Sequence, residues 1–195
     1  MISHEHKCIF IHIPRCAGSS MELALEGKSV FNRSKKHLLA TTAKRIYKDY
    51  WDDYFKFSFI RDPWDRTVSL SRWPWFYGCR VRKGKLLIKG LKNLIIDPRS
   101  KSKFDRKKLK FKKNAVYLNI LNEEIDFIGR FENLQEDWLY VCKQIGLEQK
   151  PLGNIKKYKT KLKYPHRNYY TTETKNIVQQ IYQEDINYFN YKFEY

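Results

Sequence analysis

The sequence predicts a small doubly wound α/β domain, a parallel sheet flanked by helices and interrupted by a basic insertion. Three observations carry that expectation. Short apolar runs recur at Cys8–Ile13, Phe55–Arg61 and Asp126–Phe131. Each is followed by apolar residues at helical spacing, the alternation that parallel strands need for their crossovers. The length, 195 residues, suits one such domain over 1–195 and is tight for two.

Taken in order, Cys8-Ile9-Phe10-Ile11-His12-Ile13 reads as a strand buried on both faces, and Pro14 stops it. Arg15-Cys16-Ala17-Gly18-Ser19-Ser20 is a turn of small residues. Met21, Leu23, Ala24 and Leu25 then mark a helix that Gly27 closes. A second helix is expected over 37–50. Phe55 to Arg61 alternates aromatic and polar residues and reads as a second strand. Asp62 and Pro63 supply an N-cap and a first helical residue for the helix carrying Val68, Leu70 and Ser71. Residues 78–113, with Gly78, Gly84, Gly90 and Pro98 among dense cations, read as a basic insertion or lid. Asp126–Phe131 is a third strand, and Leu134–Ile145 an amphipathic helix ended by Gly146. Residues 150–167 form another basic loop, and Thr171 or Thr172 caps a last helix through Tyr182.

Lys and Arg total 39 against 21 Asp and Glu, giving a formal charge of +18. From Arg99 to Lys113, nine of fifteen residues are cationic, so much of that excess is local. The partners implied are anions, and nucleic acid, an anionic membrane, a polyanionic glycan and a phosphorylated cofactor all fit. Aromatic content of 16% excludes wholesale disorder. No apolar run approaches the ~18–20 residues of a membrane span. The short apolar run near the start has no small-residue cleavage site behind it, so the expected location is cytoplasmic. Four cysteines, Cys8, Cys16, Cys79 and Cys142, show no metal-ligand or disulfide spacing.

Two motifs carry chemistry. In IPRCAGSS, backbone amides near Gly18, the hydroxyls of Ser19 and Ser20 and the charge of Arg15 converge on a helix N-terminus, which suits a phosphate or phosphosulfate. The alternative is an ordinary strand–helix turn whose small residues serve packing. The loop is not a Walker A sequence, because GxxxxGK[ST] is absent. In FSFIRDPWDRTVSLSRW, Arg61 ends a strand and Ser69 lies about two turns into the next helix. Ligands of α/β sheets bind beyond the carboxyl ends of strands, so both residues are expected to face one pocket as an Arg and hydroxyl clamp. The alternative makes Arg61 a structural partner of Asp62 or Asp65.

Together these motifs resemble those of sulfotransferases that use 3′-phosphoadenosine 5′-phosphosulfate (PAPS). IFIHIPRCAGSS is similar to their 5′-phosphosulfate loop, usually F-I-H-I-P-K-T-A-G-T-S. FSFIRDPWDRTVSLSRW is similar to their 3′-phosphate motif. DFIGRFENLQEDWLYVCKQIGL and the closing YYTTETKNIVQQIYQEDINYFNYKF resemble the carbohydrate-sulfating branch, and the likeness runs in order outside about 78–120. The resemblance implies a P-loop-kinase-like fold and transfer of a sulfuryl group from PAPS to a glycan hydroxyl, leaving adenosine 3′,5′-bisphosphate. It implies that Arg15, Cys16, Ala17, Gly18, Ser19 and Ser20 hold the phosphosulfate, Arg15 also stabilising the leaving group, while Arg61 and Ser69 hold the 3′-phosphate. Arg15 stands where the family has Lys, and Cys16 where it has Thr.

An acceptor hydroxyl needs a base. His37, expected at a helix start, resembles the base region of glycan sulfotransferases, and an ordinary pKa near ~6.5 would suit it. Glu22, beside the loop, is the second choice, and His12 reads as a hydrogen-bonder at the edge of the core. Cys16, at a helix N-terminus beside Arg15, is expected to be a reactive thiolate, with Cys8 and Cys142 buried and Cys79 exposed. Fixed cations and amides suffice for the leaving phosphate, so no metal is required. Two other readings remain: a nucleotide kinase or NTPase, which the missing GK[ST] disfavours, and a nucleic-acid-binding module built on Arg99–Lys113 and Lys156–Lys163. The acceptor is expected to be a hydroxyl-bearing glycan, anionic if the basic loops serve it, and nucleic acid is not the expected partner.

Overall fold

The computed structural model describes residues 1–27, 36–73, 76–91, 94, 111–153 and 165–193. Most of the basic run Arg99–Lys113, and Lys156–Lys163, lie outside the described residues. In chain order the elements are β1 (Ile2–Ser3), β2 (Cys8–Ile11), α1 (Gly18–Glu26), α2 (Ala40–Ile46) and β3 (Phe55–Ile60). Then come α3 (Pro63–Ser71), β4 (Cys79–Arg82), β5 (Lys85–Ile88), α4 (Tyr117–Ile120) and β6 (Phe127–Arg130). Last are α5 (Leu134–Gln144), α6 (Thr172–Ile181) and α7 (Gln183–Phe189). The chain forms two compact units, one of residues 1–60, 96–110 and 120–157, the other of 61–95, 111–119 and 158–195.

The first unit holds a four-stranded sheet in the order β1-β2-β3-β6, flanked by helices. β2 runs parallel to β3, pairing Phe10 with Phe57, and β3 runs parallel to β6, pairing Phe59 with Gly129. The mixed α/β class and the three strands expected from sequence are therefore present. β1 is an addition: two residues pair antiparallel on β2, too short to leave a periodic signal. β3, expected as a strand from its alternation of aromatic and polar residues, is buried on both faces. Lys56 and Ser58 go inside because their polar ends are satisfied. Lys56 Nζ donates to the carbonyls of Trp51 and Tyr54 and meets Asp126, and Ser58 Oγ donates to Ile11 O at 2.7 Å.

The helix expected over 37–50 contracts to the seven residues of α2. Leu38 and Leu39 are buried before it, Leu39 in extended backbone, and Tyr47 closes it. The Asp-Tyr-Trp-Asp-Asp run at 49–53 favours turns over helix, and the chain takes them into β3.

In the second unit the predicted cap of α3 is present: Asp62 accepts the N–H of Asp65 at 2.8 Å, with Pro63 in the first turn. The start of the expected 78–113 insertion is an ordered antiparallel hairpin, β4–β5. It is fastened to α3 from two sides. Cys79 Sγ donates to Thr67 O, and Arg80 Nη1 donates to the carbonyls of Ser71, Trp73 and Phe76 where α3 ends. Cys79 is consequently 1% exposed, against the expectation of an exposed thiol. Arg66 is fully buried, donating to Tyr182 Oη and Leu94 O, and Asp185 accepts the N–H groups of Val116 and Leu118. Thr171 caps α6 through a reciprocal capping box with Thr174, and α7 follows where the sequence showed only one helix.

Candidate functional site

The turn between β2 and α1 is held in an uncommon backbone. Arg15 (φ +73°) and Ala17 (φ +61°) both take the left-handed region without being glycine, a cost that the surrounding packing must hold in place. Ala17 sits at the N-cap of α1 and brings no side-chain acceptor, unlike Asp62 on α3 or Thr171 on α6. Ser20 and Met21 direct their N–H groups to Ala17 O. Those of Gly18 and Ser19 open the helix, with no acidic side chain in its first turn. A helix N-terminus with no side-chain cap among the described residues favours an anion through its leading N–H donors and its dipole. Arg15, Ser19 and Ser20 are half-buried at this end.

Beneath the turn lies a cluster that the motif left unread. His12 Nδ1 donates to Glu22 Oε1 at 2.5 Å, and Lys36 Nζ donates to Glu22 Oε2 at 2.6 Å. Burial alone would raise the Glu22 carboxyl, but these two bonds hold it down to about 2. Glu22 is 1% exposed, ionised and engaged at both oxygens, so it does not serve as a base. His12 is 4% exposed, and burial lowers its pKa against the pull of Glu22. The reading of His12 as a buried hydrogen-bonder agrees with this arrangement.

His37 packs edge-to-face on His12, ring centroids 4.3 Å apart, and its Nδ1 donates to His12 O at 3.1 Å. Because Nδ1 carries the proton, Nε2 carries the lone pair. His37 does not start a helix: it precedes α2 by three residues, at φ +59°. Nor does it keep an ordinary pKa. Burial, reinforced by neighbouring His12, lowers it to about 2, so the ring stays neutral throughout the physiological range.

Cys16 is 1% exposed, with Sγ 3.9 Å from Pro14 O. The expected accessible thiolate is instead a buried filler under the turn, because its side chain points into the packed side of the loop. Cys8 and Cys142 are buried as expected.

Arg61 and Ser69 lie in the second unit. Arg61 donates to Asp65 through Nε at 2.7 Å and Nη2 at 2.6 Å, the structural pairing that the sequence reading weighed against a phosphate role. Ser69 is 7% exposed on α3. His166, read only as part of a basic loop, stands 3.6 Å from Asp65 and 3.8 Å from Asp62, and burial lowers its pKa. Its Nε2 and the Nε of Arg167 are buried without a hydrogen-bond partner among the described residues. No sequence signal distinguished these two from the surrounding cations.

Among the described residues no group of three or more His, Cys, Asp or Glu is placed to hold a metal, and no helix is long and apolar enough to cross a membrane. A mostly parallel sheet whose first long strand turns into a helix N-terminus without a side-chain cap is the arrangement by which α/β proteins bind anionic ligands. The sequence profile of the sulfotransferase family matches residues 1–72 and 78–192, and the chain belongs to that family. It is thereby a sulfuryl-transferring enzyme. An uncharacterized protein of Archaeoglobus fulgidus is 33% identical over 105 residues, 54% of this chain and 78% of the relative. No solved structure matches the chain.

Proposed function

We propose that the protein transfers the sulfuryl group of PAPS to a hydroxyl of a carbohydrate-type acceptor. The observation that carries this reading is the uncapped start of α1, with Arg15, Ser19 and Ser20 gathered at it, in a member of the sulfotransferase family. Arg15 to Ser20 take the 5′-phosphosulfate: amides and hydroxyls hold its oxygens, and the Arg15 guanidinium, always charged, balances the charge released on the leaving phosphate. Arg61 and Ser69 take the 3′-phosphate. His37 presents Nε2 as the base for the acceptor hydroxyl, its Nδ1–H spent on His12 O. A base of such low basicity takes the proton late, as the new oxygen–sulfur bond forms. The sulfuryl group moves in line from the phosphate oxygen to the acceptor oxygen, and adenosine 3′,5′-bisphosphate leaves.

The acceptor is proposed from the resemblance of the motifs and from the cations of the chain, and the protein works without metal. Labelled PAPS offered with a pool of neutral and uronate-bearing glycans, in chelator, tests the reading. Label in a glycan fraction is the expected result. Transfer from ATP, or label only when magnesium is present, would replace this reading with a kinase-type one.

A further inference from the structure

Gly18 opens α1, and the space where its side chain would stand is already filled. A Cβ built there would lie 2.3 Å from His12 Cδ2, 2.4 Å from Nε2 and 2.7 Å from Cε1. The imidazole of His12 therefore lies flat along the first turn of the helix. Its Nε2 edge is under Gly18, and its Nδ1 reaches Glu22, four residues and one turn further along the same face. Glu22 is in turn fixed by Lys36. The ring also stacks on Phe10, centroids 5.5 Å apart, and His37 packs against it edge-to-face.

We propose that His12 is the positioning residue of the phosphosulfate loop. It acts as a prop that sets the height of the Gly18 and Ser19 amides, and the Glu22–Lys36 pair locks its rotation. The inference rests on the reading of Arg15–Ser20 as the loop that takes the phosphosulfate. Three features argue for more than ordinary core packing. The ring replaces a side chain at the helix position whose amide opens the anion site. The backbone above it is held in two left-handed residues that have no preference of their own for that conformation. A buried ion pair is weak evidence for stability, so a Glu22–Lys36 pair spent on one imidazole points to orientation.

The experiment is a double-mutant cycle read as affinity for adenosine 3′,5′-bisphosphate, with thermal unfolding measured alongside. Gly18→Ala forces the ring aside and is expected to weaken binding at least ~10-fold, since small misplacements of donors are costly. His12→Ala removes the prop and weakens it too. In His12→Ala/Gly18→Ala the new methyl group enters the vacated space, so the double variant binds better than Gly18→Ala alone. Additive losses would overturn the proposal. Should Gly18→Ala fail to fold, Glu22→Gln and Glu22→Leu carry the test. Gln still accepts from Nδ1 and Leu cannot, so Leu is expected to lose several-fold more affinity than Gln at equal change in melting temperature. Equal affinities would again overturn it. If the unaltered protein does not bind the bisphosphate, the failure belongs to the loop assignment and not to the prop.

Discussion

Both N–H groups that Arg61 directs at Asp65, from Nε and Nη2, converge on one carboxylate oxygen, Oδ2, at 2.7 and 2.6 Å. The other oxygen, Oδ1, faces His166 at 3.6 Å. Asp65 thus fixes the guanidinium plane without covering it, which is compatible with a second, phosphate-facing role for the same side chain.

That geometry separates binding from stability. Arg61→Ala is expected to cost the 3′-phosphate about 1.5–3 kcal/mol per lost charge-assisted bond, erasing most of the preference for adenosine 3′,5′-bisphosphate over AMP. The same variant leaves Asp65 short of its partner and lowers the melting temperature. Adding Asp65→Asn removes the uncompensated charge, so stability returns and the ligand preference does not. Calorimetric titration of both nucleotides against the unaltered protein and the two variants, with melting temperatures alongside, reads this directly. Arg61→Ala with an unchanged preference would return Arg61 to a purely structural role.

His37 is the second test. Removal of a general base typically costs ~10²–10⁴-fold in rate, so His37→Ala is expected to abolish transfer and leave bisphosphate affinity nearly unchanged. The lowered pKa adds a signature. A base that protonates only near about 2 gives no inflection near 6.5, so kcat/KM should stay level from pH 8 down to pH 5. A bell-shaped profile with an acid limb at ~6.5 would place the base on another, more exposed group.

Stability should follow pH with a definite sign. His12, buried, and His37, half-buried, are both neutral, so between about 6.5 and the lowered folded values the unfolded chain binds more protons, and stability falls as pH drops. Glu22, held at about 2 against an ordinary 4.5, adds a further loss below 4.5, and Asp185, raised by burial, opposes part of it. On the alkaline side burial pushes Cys8 and Cys79 up to about 12, so the unfolded thiols ionise first and stability declines above about 9. Melting temperature is therefore expected to peak between about pH 7 and 9. His37→Phe should flatten the acid limb, and an unaltered acid limb would mean that the imidazole is not held neutral.

The parts of the fold that were legible in the sequence were those written in local chemistry. The Asp62–Pro63 cap, the closing Gly27 (φ +65°), the Thr171 cap and the apolar run of β2 each follow from a few neighbouring residues. What stayed hidden depends on partners distant in sequence. The burial of Lys56 rests in part on Asp126, 70 residues away, which joins the nearer carbonyls of Trp51 and Tyr54 as an acceptor. Cys79 looked exposed until the hairpin docked on α3. Within the candidate site, Arg15 to Ser20 could be read because the loop is contiguous. The basicity of His37 could not, because it is set by burial and by a histidine 25 residues away.

The cysteines give the final test, and one in which geometry reverses the motif. At the N-terminus of a helix, beside Arg15, Cys16 has the electrostatic setting of a reactive thiolate. Reactivity also needs access, and Cys16 is 1% exposed, with its thiol turned to Pro14 O beneath the turn. Cys8 and Cys142 are fully buried and Cys79 is 1% exposed, so no thiol is open to reagent in the folded state. Brief iodoacetamide treatment at pH 7 is therefore expected to label none of the four appreciably, with or without adenosine 3′,5′-bisphosphate. All four should react together once denaturant crosses the unfolding midpoint, because labelling then reports global opening. Peptide mapping distinguishes the cases. Rapid labelling of Cys16 alone, slowed by the bisphosphate, would mean that the turn opens at the loop and that the thiol faces the ligand.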